Sequence, residues 1–177
     1  MVKFYFYTIL LFTSFGVNAQ LKDSKNIFDI ARTGTVAEVT ALFKQNPKIL
    51  NEINDAGYSP LILACYRGNT EVAAFLIHNG ADINYNNSMG TPLLAAVVKN
   101  NVSIVQQLLN KNADIEAKDN NGTTALIYAA MFKNHEISKM LVQAKANSEI
   151  KDNRGNSALD YAILADDDTL IQILKSN

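Results

Sequence analysis

Apolar residues in this chain fall into paired short stretches that return about every 33 positions. In one unit the run Ala125-Leu126-Ile127-Tyr128-Ala129-Ala130-Met131-Phe132 is broken by Lys133 and Asn134. Ile137, Met140 and Leu141 then follow at helical spacing. The segment from Lys145 to Ile150 leads into a polar turn cluster, Asp152-Asn153-Arg154-Gly155. The same order appears earlier, with Pro60 to Cys65, Gly68, Val72, Phe75, Leu76 and Ile77, then Gly80 to Asn84. It appears again with Pro92 to Ala96, Asn100, Ile104, Val105, Leu108 and Leu109, then Asn112 to Glu116. The pattern predicts two short helices per unit with a tight turn between them, and polar hairpin-like turns between units.

Four copies of one phrase set the register: Ser59-Pro60-Leu61, Thr91-Pro92-Leu93, Thr124-Ala125-Leu126 and Ser157-Ala158-Leu159. Their second residues are 32, 33 and 33 apart. A period near 33 marks stacked repeats in place of a single globular core. The Ser or Thr is placed to cap the first helix, and Pro suits the first turn, where its missing N–H would be unsatisfied anyway. The small pairs Ala64-Cys65, Ala95-Ala96 and Ala129-Ala130 let neighbouring helices approach. Left-handed backbone is expected at Gly68, Asn100 and Lys133 between the helices, with lysine the poorest fit. Leu61, Leu93, Leu126 and Leu159 are expected in the core. Asp55, Asp119 and Asp152 are expected to shape the hairpins by side-chain-to-backbone bonds.

These residues together resemble the ankyrin repeat, whose Thr-Pro-Leu phrase, Ala-Ala pair, inter-helix Gly and Gly-Ala-Asp tail match the positions quoted, over about residues 54 to 175. The resemblance implies an all-α ankyrin-repeat solenoid of stacked helix-turn-helix units joined by β-hairpin-like turns. About five units are expected, near 25–53, 54–85, 86–118, 119–151 and 152–177, with a diverged first unit and a more polar last one as end caps. Two departures stand out. The family's His after Leu is replaced by Ile62, Leu94, Ile127 and Asp160. The segment between Gly80 and Pro92 is a residue short, with Met89 where the turn glycine is expected and Gly90 one position late.

Residues 1–19 differ in kind. Lys3 is their only charge, an apolar run follows from Phe4 to about Phe15, and Val17-Asn18-Ala19 offers small residues at the two positions a signal peptidase reads. That is the layout of a secretory signal cut after Ala19, with an uncleaved N-terminal anchor as the alternative. Residues 20–24 are then a short lead and 25–177 the repeat domain, periplasmic or secreted, with no membrane association after cleavage.

Sixteen basic and seventeen acidic residues give a net charge of −1. No basic stripe exists to hold phosphate backbones, which disfavours nucleic acid as a partner. Cys65, the one cysteine, is expected to be buried. The two histidines, His78 and His135, fall in different repeats with no ligand spacing around them. No catalytic residues, metal site or cofactor are expected, and the chain reads as a non-enzyme. Asp166-Asp167-Asp168 is taken as an exposed turn with Asp168 capping the last helix.

By resemblance, the residues before each inter-helix turn and the hairpin tips face a concave groove. The candidate partner-binding residues are Tyr66, Arg67, Val98, Lys99, Met131, Phe132, Asn120 and Arg154, with packing between repeats as the alternative for the apolar ones. Tyr128 and Tyr161 border the groove or pack between repeats. The reading is a monomeric, non-catalytic module that is exported and binds a protein partner. An accessory role beside a periplasmic stress-protection enzyme follows from the resemblance to exported bacterial members. An inhibitor or immunity protein, or a secreted host-directed effector, is the alternative, and an enzyme with an unrecognised site the remote one.

Fusing residues 1–25 to alkaline phosphatase in a bacterial host tests the export expectation. Extracytoplasmic phosphatase activity is expected with the fusion and not with a version lacking residues 1–19; equal activity from both would overturn it.

Overall fold

The computed structural model describes residues 25–176, so the expected signal segment and lead lie outside the described residues. Ten α-helices follow in pairs: α1 Ile27–Thr33 and α2 Val36–Gln45, α3 Pro60–Arg67 and α4 Thr70–His78, α5 Pro92–Val98 and α6 Val102–Asn110, α7 Ala125–Met131 and α8 His135–Gln143, α9 Ala158–Leu164 and α10 Asp168–Lys175. A 3-10 turn, Pro47–Asn51, closes the first pair. The first helices stack in the order α1, α3, α5, α7, α9, and the second helices stack beside them. The described residues form no strand, only isolated bridges between Asn87 and Gly90 and between Lys151 and Ser157. The all-α solenoid implied by the resemblance is the fold.

Local chemistry explains the helix starts. The hydroxyls of Ser59, Thr91, Thr124 and Ser157 accept from the amides of Ile62, Leu94, Ile127 and Asp160, and the Asp160 carboxylate in turn accepts from the Ser157 amide. Pro60 and Pro92 occupy first-turn positions. The turns between helices are left-handed at Gly68, Asn100, Lys133 and Asp166, with φ of 71°, 54°, 53° and 52°. Lys133 thus adopts the conformation its position demands despite its side chain.

The core runs through every interface between units. Leu61, Leu93 and Leu126 are essentially inaccessible, as are Ala64, Cys65, Ala96, Ala129 and Ala130. Ala95 stands one position before the site of the small pair and is 8 % exposed, which corrects the expected pair Ala95-Ala96. Leu159, unlike the other three leucines, is half-buried. Leu159 therefore corrects the expectation of a fourth equivalent core leucine.

Three ladders of side-chain bonds cross the same interfaces. At the inter-helix turns, Asn69, Asn101 and Asn134 each cap a second helix through Oδ1. Their Nδ2 atoms meanwhile donate to the preceding unit, to the Gly34 carbonyl at 3.0 Å, to Thr70 Oγ1 at 2.7 Å and to Asn100 Oδ1. Asp167, not Asp168, caps α10, and its second oxygen meets His135 Nε2 at 2.8 Å. At the ends of the second helices, the amides of Asp82, Asp114 and Asn147 donate to Asn51, Asn84 and Glu116 at 2.7 to 2.8 Å. At the tips, the side chains of Asn87, Asn86 and Asn153 donate to the carbonyls of Gly57, Lys118 and Asn120. An amide side chain can cap with one atom and donate with the other, and Asn69, Asn101 and Asn134 use both.

Leu126→Ala is expected to cost about 2 to 5 kcal/mol of stability, measured by urea unfolding. Leu159→Ala, at a half-exposed site, is expected to cost clearly less. Equal losses would refute the assigned register.

Candidate functional site

Each inter-repeat tip is built on one side chain. Asn54 Oδ1 accepts from the amides of Ala56 and Tyr58, Asp119 Oδ1 from Asn121 and Thr123, and Asp152 Oδ1 from Arg154 and Asn156, all between 2.9 and 3.1 Å. The residue doing this in the first of these tips is Asn54, not Asp55. The short tip follows the same plan with Asn87, but Asn87 Oδ1 takes only the Met89 amide. Gly90 lies three residues after Asn87, as Gly57, Gly122 and Gly155 do after their anchors, and it has φ of 101°. Gly90 is therefore the turn glycine, in place. A Cβ there would lie 2.6 Å from Leu94 Cδ2. The missing residue is the one after it, equivalent to Tyr58, Thr123 and Asn156, whose amide would have made the second bond.

Behind two of the tips the groove wall is a tyrosine. Tyr128 Oη donates to Asp119 Oδ2 at 2.7 Å and Tyr161 Oη to Asp152 Oδ2 at 2.6 Å. Burial alone would push the Asp119 carboxyl up, but the Tyr128 hydroxyl and the amides of Thr123 and Asn121 outweigh it and hold the group below its ordinary value. Asp152 is likewise raised by burial but held low on balance by the Tyr161 hydroxyl, the amides of Asn156 and Arg154, and the Arg154 charge. The Tyr128 phenol is pushed up to about 12 by burial first, then by its hydrogen bond to Asp119 and the charge of that carboxylate. Both tyrosines are half-buried and join their helix to their tip.

In front of this wall lie the candidate residues. Tyr66, Met131 and Phe132 are 38, 39 and 54 % exposed, so they are not packed away between repeats. Val98 is half-buried, and Arg67, Lys99, Asn120 and Arg154 are exposed. A cavity of about 350 Å³ brings together Tyr66, Arg67 and Val98 with Arg32, Leu63, Met89, Leu94 and Ala95, and is closed on one side by Tyr128. Lys99 Nζ stands 4.6 Å from the centre of the Tyr66 ring, a cation–π contact. Met131 and Arg154 line a second depression of about 260 Å³ with Asn153 and Tyr161. Phe132 lines neither but stacks on Tyr128, centroids 6.0 Å apart. Asn120 belongs to the tip ladder, accepting from Asn153 Nδ2 and donating to the Ser88 carbonyl.

Arg32 and Met89 were missed by sequence reasoning. Arg32 lies on α1, whose contact with α3 carries it to the groove. Met89 was read only as a misplaced turn residue, yet it is 52 % exposed and accepts a contact from Tyr58 Oη at 2.8 Å.

The remaining reactive groups have structural surroundings. Cys65 is fully buried, and burial raises its thiol to about 12. His135 pairs with the α10 cap, and the hydrogen bond between them, with the Leu170 amide, holds Asp167 below its ordinary value. Among the described residues no group of three His, Cys, Asp or Glu side chains converges on a metal-sized space.

Comparison with known proteins agrees with this geometry. A family model described as ankyrin repeats (3 copies) matches residues 8–87, 27–119 and 93–177. A protein of Borreliella burgdorferi named for ankyrin repeats is 30 % identical over 77 residues, 44 % of this chain and 35 % of its own length. The NAD-capped RNA hydrolase NUDT12 of Homo sapiens is 34 % identical over 52 residues, 29 % of this chain and 11 % of its own. The chain thus spans about a third or less of the length of these relatives.

The depressed carboxyls generate a pH prediction. Asp119 and Asp152 titrate lower in the folded protein than unfolded, so their contribution is present above the unfolded value, about 3.9, and is lost as pH falls through the folded value. The melting temperature is expected to fall between pH 5 and pH 3. An Asp119→Asn/Asp152→Asn double variant keeps the backbone bonds, as Asn54 does, but is expected to show a shallower fall over that range. An identical slope would refute the assignment.

Proposed function

The chain belongs to the ankyrin-repeat family, and from that premise we propose that it is a non-catalytic module that binds a protein partner in its concave groove. The observation that carries this reading is the row of exposed apolar side chains along the groove, Tyr66, Met131 and Phe132, with Met89 beside them. The residues just before Tyr66 and Met131 on their helices, Cys65 and Ala130, are fully buried. Contiguous exposed apolar surface of this kind marks contact sites, and aromatic and Arg side chains dominate the energetics of such contacts.

The partner encounter is placed outside the cytoplasm, periplasmic or secreted, on the strength of the signal-like residues 1–19. Among the described residues no helix is long and apolar enough to cross a membrane. The module acts as a monomer, and an accessory role beside a periplasmic stress-protection enzyme is the biological setting we favour, from resemblance.

Truncating each anchor is expected to weaken partner binding by about 1 to 4 kcal/mol without loss of fold. The Tyr66→Ala/Met131→Ala/Phe132→Ala variant should melt within a few degrees of wild type and lose the proteins that wild type captures from periplasmic extract. Capture of the same set would overturn the reading.

A further inference from the structure

Helices α7 and α9 place a tyrosine four residues after the capping hydroxyl, Tyr128 after Thr124 and Tyr161 after Ser157, and each phenol reaches its tip aspartate. At the same position after Thr91, helix α5 carries Ala95. The tip in front of Ala95 is also the one that lacks a residue, and its anchor is Asn87 in place of an aspartate. Ring and bond are both missing from this unit. The space they would fill is the 350 Å³ cavity, floored by Leu94 and Ala95 and walled by Tyr66 and the next unit's Tyr128. That volume lies at the low end of the roughly 300 to 1,000 Å³ typical of sites that enclose a ligand group.

The charge around this space is one-sided. Arg32 and Arg67 line it and no carboxylate does, although the whole chain carries a net charge of −1. Arg32 is already engaged by Asp29 at 3.2 Å. The Arg67 guanidinium has no ion-pair or hydrogen-bond partner among the described residues. Tyr128, held by Asp119 and stacked on Phe132, is a fixed wall against which a ring can pack.

We propose that this cavity is the anchor subsite of the groove. It takes the aromatic side chain of a partner-protein segment that carries a carboxylate within a residue or two of the ring. The ring fills the place that tyrosine fills in the following units, and aromatic burial supplies the affinity. The carboxylate meets Arg67, whose planar fork suits bidentate pairing, and this charge match sets which segments are accepted. The inference rests on the reading of the groove as a protein-binding surface and specifies the partner's chemistry.

The probe is a fluorescein-labelled peptide, Gly-Ser-Glu-Tyr-Glu-Ser-Gly, titrated with the protein and followed by anisotropy. Binding is expected, weakened about tenfold or more when the peptide's Tyr becomes Ala or its Glu residues become Lys. Added salt should weaken it, and Arg67→Ala should both weaken it and flatten the salt dependence. Ala95→Tyr installs the side chain that the two following units hold and is expected to abolish binding while the protein melts no lower than wild type. Equal binding of the Glu and Lys peptides, no binding of either, or unchanged binding by Ala95→Tyr would overturn the proposal. Competition by free 4-hydroxyphenylacetate as strong as by the peptide would also overturn it, by assigning the cavity to small aromatic acids. If Ala95→Tyr still captures the proteins that the triple alanine variant loses, the subsite fails and the groove reading stands. If the triple variant captures everything that wild type does, the groove reading itself fails.

Discussion

No helix pair in this protein can bury its apolar face alone, and the contact between successive units is the interaction on which the rest depends. A pair of helices of seven to ten residues is too short to be stable in isolation. Stacking puts Leu61, Leu93 and Leu126 into continuous contact with the small residues of their neighbours, and stability accrues interface by interface. Apolar packing is weakly directional, however, and by itself would tolerate one unit sliding over another. The asparagine ladders supply the missing direction. Each amide cap ties its own helix start to the unit before it, so one side chain sets both the local helix boundary and the inter-unit register.

The groove inherits its properties from that register. Because every unit presents the same positions to the same face, a change at one position becomes a change at one place along the groove. Tyrosines at the fourth position after the cap in the last two units make a rigid wall locked to the tips. Leu63 and Ala95 at that position in the two units before them give the anchors Asn54 and Asn87 no phenol from their own helix, and a cavity lies beside them. The chain therefore carries a tightly bonded half and an open half on one surface, although the fold of each unit is the same. The short tip before Pro92 adds to this, since the deleted residue takes with it one of the two amides that would have gripped the anchor side chain.

Much of the fold was legible because it rests on local rules. Capping hydroxyls, the prolines at first turns and the left-handed positions at Gly68, Asn100 and Lys133 each follow from the conformational demands of one or two residues. The misreadings share a cause. Asp55 was preferred over Asn54 and Asp168 over Asp167, and Gly90 was read as one position late. In the first two a neighbouring residue of suitable chemistry was available, and in all three only the backbone geometry fixed the position. The amide caps at Asn69, Asn101 and Asn134 had a visible signal, an Asn directly after each left-handed residue. Their second bond, to the unit before, lies 31 to 39 residues away in the chain and leaves no trace in a local pattern. The candidate groove residues were placed from repeat position alone, which locates a side chain on a face but not among its neighbours. Tyr66 and Phe132 are exposed, as their repeat position implies, and their contacts with Lys99 and Tyr128 were not foreseen.

By itself the amino-acid sequence determined the repeat period, the helix boundaries to within a residue or so, the face each residue occupies and the apolar character of the groove. These depend on contacts within about four residues or on the repetition of a phrase. The tertiary structure alone decided that Leu159 is half-exposed, that Arg32 joins the groove from the first unit, that Tyr128 and Tyr161 are bound to tip carboxylates, and that a cavity stands where Ala95 replaces a tyrosine. Each of these is set by which unit lies next to which and by how closely they stack, and close packing turns a one-residue difference between repeats into a volume.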